Sequence, residues 1–134
     1  MSYDGIRSLG PVSVRVAGMN RTLRALSKAG ADAQNMRQLM HEIGMIAVRA
    51  AKPKTPVLSG ALRRNIRAGK GKTKAVVRAG GARVPYAPVV HYGWPARNIP
   101  AQPYLVQAAV QQQGAMIRRF EDGIDELLVA NDLK

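Results

Sequence analysis

The chain has 134 residues, no cysteine and a formal net charge of +13. This length fits one domain with a sizeable core, and we predict a single domain over residues 1–134 with its core at about 11–128 and flexible termini. The lack of cysteine excludes a disulfide framework and a thiolate metal site. Because no apolar run reaches the length of a signal peptide or a membrane span, we expect a soluble protein with no membrane partner.

The charge is distributed unevenly along the chain. Residues 43–120 carry fourteen lysine and arginine residues and no acid, whereas residues 121–134 carry five acids against one lysine. Such a basic block is compatible with nucleic acid, with an acidic partner surface, or with an ordinary solvated face. The reversal of sign also suggests a head-to-tail hypothesis, in which the acidic end of one subunit lies against the basic middle of its neighbour.

The first elements are predicted from hydrophobic periodicity. Apolar and polar residues alternate over 12–16, which is typical of a half-buried strand. Apolar residues then recur at helical spacing over 23–50, which predicts a long amphipathic helix. Asn20 is the expected N-cap of this helix.

The helical pattern is interrupted near Gly30. Gly30 is a candidate C-terminal residue of a first helix and Asp32 a candidate N-cap of a second, so the pattern predicts one kinked helix or two. Pro53 and Pro56 are expected to end it.

Short elements are expected in the middle of the chain. Ser59 is predicted to cap a short helix over 60–65. Residues 66–68 and 75–79 then predict two strands joined by a lysine-rich turn. With the flanking helices these elements give an α+β fold, in which a long N-terminal helix and a C-terminal helix pack on a small antiparallel sheet.

A proline- and aromatic-rich segment precedes the last helix. Residues 86–105 contain four of the six aromatic residues of the chain. Their prolines exclude a long helix or a central strand, so an ordered loop is predicted. This loop is either a packed connection or a connection that also forms an intermolecular contact. Pro103 is expected in the first turn of one final helix, whose apolar side chains run from Leu105 to Leu127.

Catalytic and metal-binding patterns are not indicated. The sequence GKGKT at 69–73 lacks the first glycine of a phosphate-binding loop. His41 and His91 are far apart in sequence, and His91 has no nearby carboxylate to orient it. We therefore expect no enzymatic activity, no metal and no cofactor, and a nuclease that uses His91 with Arg97 is the weakest alternative.

Basic residues of the predicted hairpin and its surroundings form a candidate surface for DNA or an acidic partner. Such a surface binds phosphates without reading base sequence, and the surrounding sequence lacks both stacking aromatics and a recognition-helix pattern. A small, non-specific nucleic-acid-binding protein is therefore the alternative function. The candidate residues are Arg63, Arg64, Arg67, Lys70, Lys72, Lys74, Arg78 and Arg83.

Three segments in order resemble a family of long-tailed bacteriophage proteins. TPVLSGALR at 55–63 is similar to a TPV-x-[TS]-G-x-L-R pattern, YAPVVHYG at 86–93 to YA-x-x-V-[EH]-[YF]-G, and PAQPYL at 100–105 to PA-x-P-[FY]-L. The resemblance covers roughly residues 20–128. The chain departs from the family pattern at Leu58, where an acid is common, and at Trp94, where a threonine is common.

The family comprises minor tail or neck proteins of the head–tail joining or tail-completion type. The resemblance implies a structural α+β virion subunit, made in the bacterial cytoplasm, that forms a sixfold or twelvefold ring between the capsid portal side and the tail tube. Neighbouring connector, stopper and tail-tube proteins are the implied partners, and genomic DNA in the channel is a further one. Candidate interface residues are Tyr86, Tyr92, Trp94, Tyr104, Glu121, Asp122, Asp125 and Glu126.

Overall fold

The computed structural model describes residues 12–16, 18–56, 60–81 and 84–131. It confirms the predicted α+β class. A 3-10 turn, Pro95–Arg97, precedes the last two helices. In chain order the elements are β1 (Val12–Val16), α1 (Asn20–Lys28), α2 (Ala33–Lys54), α3 (Ala61–Arg64), β2 (Arg67–Ala68), β3 (Ala75–Ala79), α4 (Ala87–Tyr92), α5 (Tyr104–Gln111) and α6 (Gln113–Ala130).

The sheet is antiparallel, with β3 between β1 and β2. Val14 pairs with Val77, and Arg67 pairs with Arg78. Because side chains alternate along a strand, this register places the valines of β1 and the alanines of β3 on one face, against α2 and α5. The arginines of the strands lie on the opposite face.

The long N-terminal helical pattern forms two helices. Gly30 has a φ of +102°, which favours glycine and ends α1. The side chain of Asp32 then accepts a hydrogen bond of 3.0 Å from the amide of Asn35 and caps α2, as predicted. The predicted cap at Asn20 is wrong: Met19 is the N-cap, and Asn20 is the first helical residue. Met19 is buried, and its packing fixes the start of α1 without a side-chain cap.

The end of α2 also differs from the prediction. Pro53 lies inside the last turn, and the helix continues to Lys54. The next residue, Thr55, closes this end because its hydroxyl donates a 2.8 Å hydrogen bond to the carbonyl of Ala51. The cap predicted at Ser59 lies outside the described residues, and Gly60, with a φ of +80°, directly precedes α3.

The proline-rich segment contains more regular structure than an ordered loop. The six-residue helix α4 begins at Ala87, and Pro88 lies in its first turn, where a missing N–H leaves no helical hydrogen bond unmade. Pro103 is the N-cap residue of α5, not part of its first turn. The predicted single last helix is divided into α5 and α6 at Gln112.

The core fills the space between the sheet and the helices. Buried apolar side chains form one cluster that extends from Val12 to Leu127 and includes Met36 and Met40 of α2. Helix α5 packs beside α2 on the sheet, and α6 packs on α2. Within the described residues, no helix has both the length and the apolar character required to cross a membrane.

Candidate assembly surfaces

The aromatic residues of 86–105 divide between the core and the surface. Tyr104 is completely buried, and Tyr86 packs against the core. Tyr92 is 51% exposed, and the guanidinium of Arg97 lies 4.9 Å from the ring centroid of the partly buried Trp94. Of these four residues, Tyr92 is therefore the one exposed residue and Tyr86 and Trp94 are partly buried, whereas Tyr104 cannot reach a partner without leaving the core.

A short hairpin presents Trp94. Residues Trp94 and Ile99 exchange backbone hydrogen bonds of 2.8 and 3.1 Å. Asn98 makes the tight turn with a φ of +56°. At the base of this hairpin, Gly93 has a φ of +78°, and a Cβ atom there would lie 2.7 Å from the amide nitrogen of Ala101. Glycine at position 93 thus allows the two arms of the hairpin to approach each other.

His91 is a core residue. Its ring meets the ring of Tyr104 edge-on at a centroid distance of 5.0 Å, and neither ring nitrogen has a hydrogen-bond partner among the described residues. Burial lowers the pKa of His91 to about 4, so the imidazole is neutral at pH 7. Burial also raises the pKa of the Tyr104 phenol. The described residues contain no group of three side chains suited to hold a metal ion.

The predicted basic residues have different structural roles. Arg67 donates hydrogen bonds to Asn65 and to the carbonyl of Gly80, and it therefore ties β2 to the end of β3. Arg63 donates to the carbonyl of Thr55. Lys70 and Lys74 are exposed in the turn before β3. Arg64 is also exposed, Lys72 and Arg78 are partly buried, and Arg83 lies outside the described residues.

The outer face of the sheet concentrates positive charge. Arg67 and Arg78 are directly paired across β2 and β3, and Arg15 on β1 lies opposite Val76. All three arginines belong to the face that points away from α2. Arg15 was not among the predicted residues, because it lies before the acid-free block, and only the strand register brings it to this face.

The acidic residues of α6 differ in whether they form an ion pair within the chain. Glu126 accepts a 3.0 Å hydrogen bond from Nη1 of Arg119, which lowers the pKa of its carboxyl. Glu121, Asp122 and Asp125 are exposed, and no cation of the described residues forms an ion pair with them. Three of the four predicted acids are therefore available to a partner, and Glu126 is already paired within the chain.

An apolar groove was missed by sequence reasoning. It has a volume of about 250 Å³ and lies between β1 and the outer sides of α5 and α6. Val106, Val110 and Ile117 are 42%, 65% and 47% exposed, and all three line this groove. Their spacing of four and seven residues marks a second apolar side of the helical region, a pattern that the search for a single core-facing side overlooked.

Comparison with protein families identifies the family of this chain. The model of a family described as "Bacteriophage HK97-gp10, putative tail-component" matches residues 17–93. The match covers more than half of the 134 residues. The chain belongs to the HK97-gp10-like family. Neither curated proteins nor solved structures gave a significant match.

The residues that match the HK97-gp10-like family can be located in the structure. It contains α1, α2, α3, β2, β3 and α4, and it ends at Gly93, just before the Trp94 hairpin. It includes the first two of the three motifs that resemble phage proteins, and the third, at 100–105, lies beyond it. The apolar groove and the exposed acids thus depend mainly on residues outside the matched part.

Proposed function

We propose that this HK97-gp10-like protein is a structural virion protein of the phage head–tail junction. In this proposal several copies form a ring that joins the portal side of the capsid to the tail tube, as a neck or tail-completion protein does. The family match to a tail component carries the proposal. The same match favours a non-enzymatic role.

Features of the surface support a role in assembly. Tyr92 and Trp94 present aromatic surface next to each other, and aromatic side chains are frequent anchors of protein interfaces. The outer sheet face is basic, whereas α6 carries exposed acids. A subunit with opposite charges on different surfaces is suited to contacts between unlike surfaces. Sixfold symmetry, the symmetry of phage tails, is the proposed stoichiometry, with a twelvefold ring as the alternative.

Deletion of the gene from the phage that encodes it tests this role. We expect DNA-filled heads and free tails in electron micrographs, and joined particles after the intact gene is supplied in trans. A deletion phage that forms joined particles in normal numbers would contradict a junction role. Tails of altered length, with heads still attached, would instead indicate a function elsewhere in the tail.

The basic sheet face also supports a contact with DNA in the channel, and with it the alternative of general nucleic-acid binding. Binding that depends on many phosphate contacts weakens by orders of magnitude between about 50 and 200 mM salt. We expect the purified protein to bind duplexes of unrelated sequence equally, with a steep salt dependence that decreases when Lys70 and Lys74 are changed to glutamine. Absence of binding at physiological salt would indicate that the basic face binds an acidic protein neighbour instead of DNA.

A further inference from the structure

The described residues expose five large hydrophobic side chains, and three of them line the apolar groove. The groove is defined here by Val14, Val16, Val106, Val110, Met116 and Ile117, and Arg15 also lines it. Exposed apolar side chains that cluster at one place mark an interaction site more often than scattered ones do. The groove is therefore a candidate binding surface for a partner.

The fourth exposed side chain, Val129, is 66% exposed near the end of α6. It shares one side of this helix with Asp122 and Asp125, because residues at spacings of three and four lie on the same face. Both acids are exposed, and neither forms an ion pair with a cation of the described residues. Asp122, Asp125 and Val129 thus form an exposed apolar and acidic surface, which we term the C-terminal knob.

We infer that the C-terminal knob of one copy of this chain binds the apolar groove of the next copy. The two surfaces are complementary in character: the groove offers apolar side chains beside a cation, Arg15, and the knob offers an apolar side chain beside two carboxylates. Such a contact covers four of the five exposed hydrophobic side chains at once. The fifth, Tyr92, remains for another partner.

The geometry of α6 makes this contact intermolecular. Ile117 in the groove and Val129 in the knob lie on the same helix, twelve residues apart, which corresponds to about 18 Å along its axis. A rigid helix cannot bring these two side chains together within one chain. A contact between two different surfaces is heterologous, and repetition of it generates a ring when the rotation closes.

This inference rests on the proposed ring, but it names surfaces that the ring proposal leaves open. It also differs from the head-to-tail hypothesis drawn from the sequence in the cation that it names. In this contact the acidic end of α6 meets Arg15 of β1, which lies outside the acid-free block over 43–120. Glu126 takes no part in the contact, since Arg119 of its own chain binds it.

Cysteine cross-linking tests the contact cleanly, because the chain contains no cysteine. The variant with both Ile117→Cys and Val129→Cys cannot form an internal disulfide, since the two Cα atoms are far beyond the roughly 7 Å limit. We expect mild oxidation of purified protein at high concentration, and of intact phage tails, to give a ladder of covalent multimers. The largest member of the ladder reports the number of subunits.

Single variants serve as matched controls. Ile117→Cys alone and Val129→Cys alone should each give almost no covalent dimer, whereas an equal mixture of the two should give a dimer and nothing larger. Dimers from either single variant alone would overturn the inference in favour of a symmetric contact. Absence of any ladder from oxidised tails of infectious particles would overturn it as well, and would leave the junction role to the separate deletion experiment.

Charge reversal provides a second readout that does not involve cysteine chemistry. In the background of the cross-linking variant, Arg15→Glu places three carboxylates together, and we expect the cross-linked fraction to fall by about tenfold or more. Addition of Asp122→Arg and Asp125→Arg to the same chain should restore it. Failure of these changes to restore cross-linking, in a protein with an unchanged melting temperature, would contradict the pairing of Arg15 with the knob.

Discussion

Arg119 joins α6 to α2: its Nε donates to Oε2 of Glu42 at 3.0 Å, and its Nη1 donates to Oε1 of Glu126 at 3.0 Å. Both carboxylates raise the pKa of the guanidinium, which stays charged at any ordinary pH. Glu42 lies 77 residues before Arg119, so the ion pair connects distant parts of the chain. It helps to hold the helix that carries the exposed acids in one orientation.

We expect Arg119→Met to lower the free energy of unfolding by about 1 kcal/mol. The effect is modest because the side chains of Arg119 and Glu42 are 28% and 38% exposed, and water screens such pairs. A double-mutant cycle with Glu42→Gln, measured by urea unfolding, should show a coupling of about 0.5 kcal/mol or more. Glu121→Gln is the matched control on the same helix and should leave stability unchanged. Additive effects of the two changes would contradict a working ion pair.

Acidic pH should weaken the ion pair between Arg119 and Glu126, and it should do so over a defined range of pH. The folded-state pKa of Glu126 is lowered from 4.5 by the hydrogen bond from Arg119. A lowered carboxyl pKa contributes stability above the unfolded value, and this contribution is lost as pH falls from about 4.5 through the folded value. The Arg119→Met variant should therefore lose less stability than the wild type below pH 4.5. Equal losses in the two proteins would count against the pairing.

His91 should make the protein sensitive to mildly acidic pH. Its pKa is lowered from 6.5 to about 4 in the folded state. The unfolded chain therefore binds the proton first, so stability is complete above pH 6.5 and decreases as pH falls toward 4. At about 1.4 kcal/mol per pKa unit, the loss is about 3 kcal/mol.

The His91→Phe variant tests whether His91 causes this sensitivity to acidic pH. Phenylalanine retains a ring against Tyr104 but has no titrating nitrogen, so the slope of stability between pH 6.5 and 4 should become nearly flat. Gln34→Ala, an exposed change on α2 that removes no titrating group, is the control and should leave the slope unaltered. A slope that survives in His91→Phe would assign the acid sensitivity to other groups.

Gly93→Ala should destabilise the fold by about 3 kcal/mol. The new Cβ would lie 2.7 Å from the amide nitrogen of Ala101 and 2.9 Å from the carbonyl oxygen of Ile99, in addition to the strain of a positive φ. Gly30→Ala separates the two causes, because Gly30 has a φ of +102° and open space around its Cβ position. This control should lose only about 1 kcal/mol. Equal melting temperatures of the two variants would contradict the importance of the close approach.

Tyr92→Ala and Trp94→Ala should reduce the number of joined particles more than they reduce stability. Tyr92 is half exposed, so its removal costs little of the core, but it removes a candidate anchor. Complementation of a deletion phage measures the first effect, and thermal melting measures the second. Gln34→Ala, an exposed change on α2, is the control. Normal yields of joined particles with both aromatic variants would make 86–105 a packed connection only.

The sequence predicted those parts of the fold that depend on local patterns. The alternation over 12–16 predicted β1, and the residues around Gly30 and Asp32 predicted the break between two helices, because each signal lies within a few neighbouring residues. The division of the last helix at Gln112 was missed, since glutamine is a good helix former and gives no local sign of an end. Helix α4 was not predicted, because its six residues are too few to show a helical period and prolines are frequent in loops, although Pro88 is compatible with a first turn.

The surfaces were harder to predict, because they depend on which side of each element faces the core. The count of aromatic residues over 86–105 was compatible with a packed connection or an interface, and it did not distinguish the buried Tyr104 from the exposed Tyr92. The charge block indicated basic residues but not that Arg67 is occupied with Asn65 and Gly80. Strand register, which is a long-range property, places Arg15 on the basic outer face of the sheet.

The end of the family match at Gly93 has a consequence for how this protein is divided experimentally. Tyr104, Leu105 and Ala108 of α5 lie beyond that boundary, and they are almost wholly buried beside α2. A fragment that ends at Gly93 would leave that side of α2 in water. The matched part of this chain is therefore shorter than the part that packs into one core, and fragments or fusions of the protein should extend through the last helix.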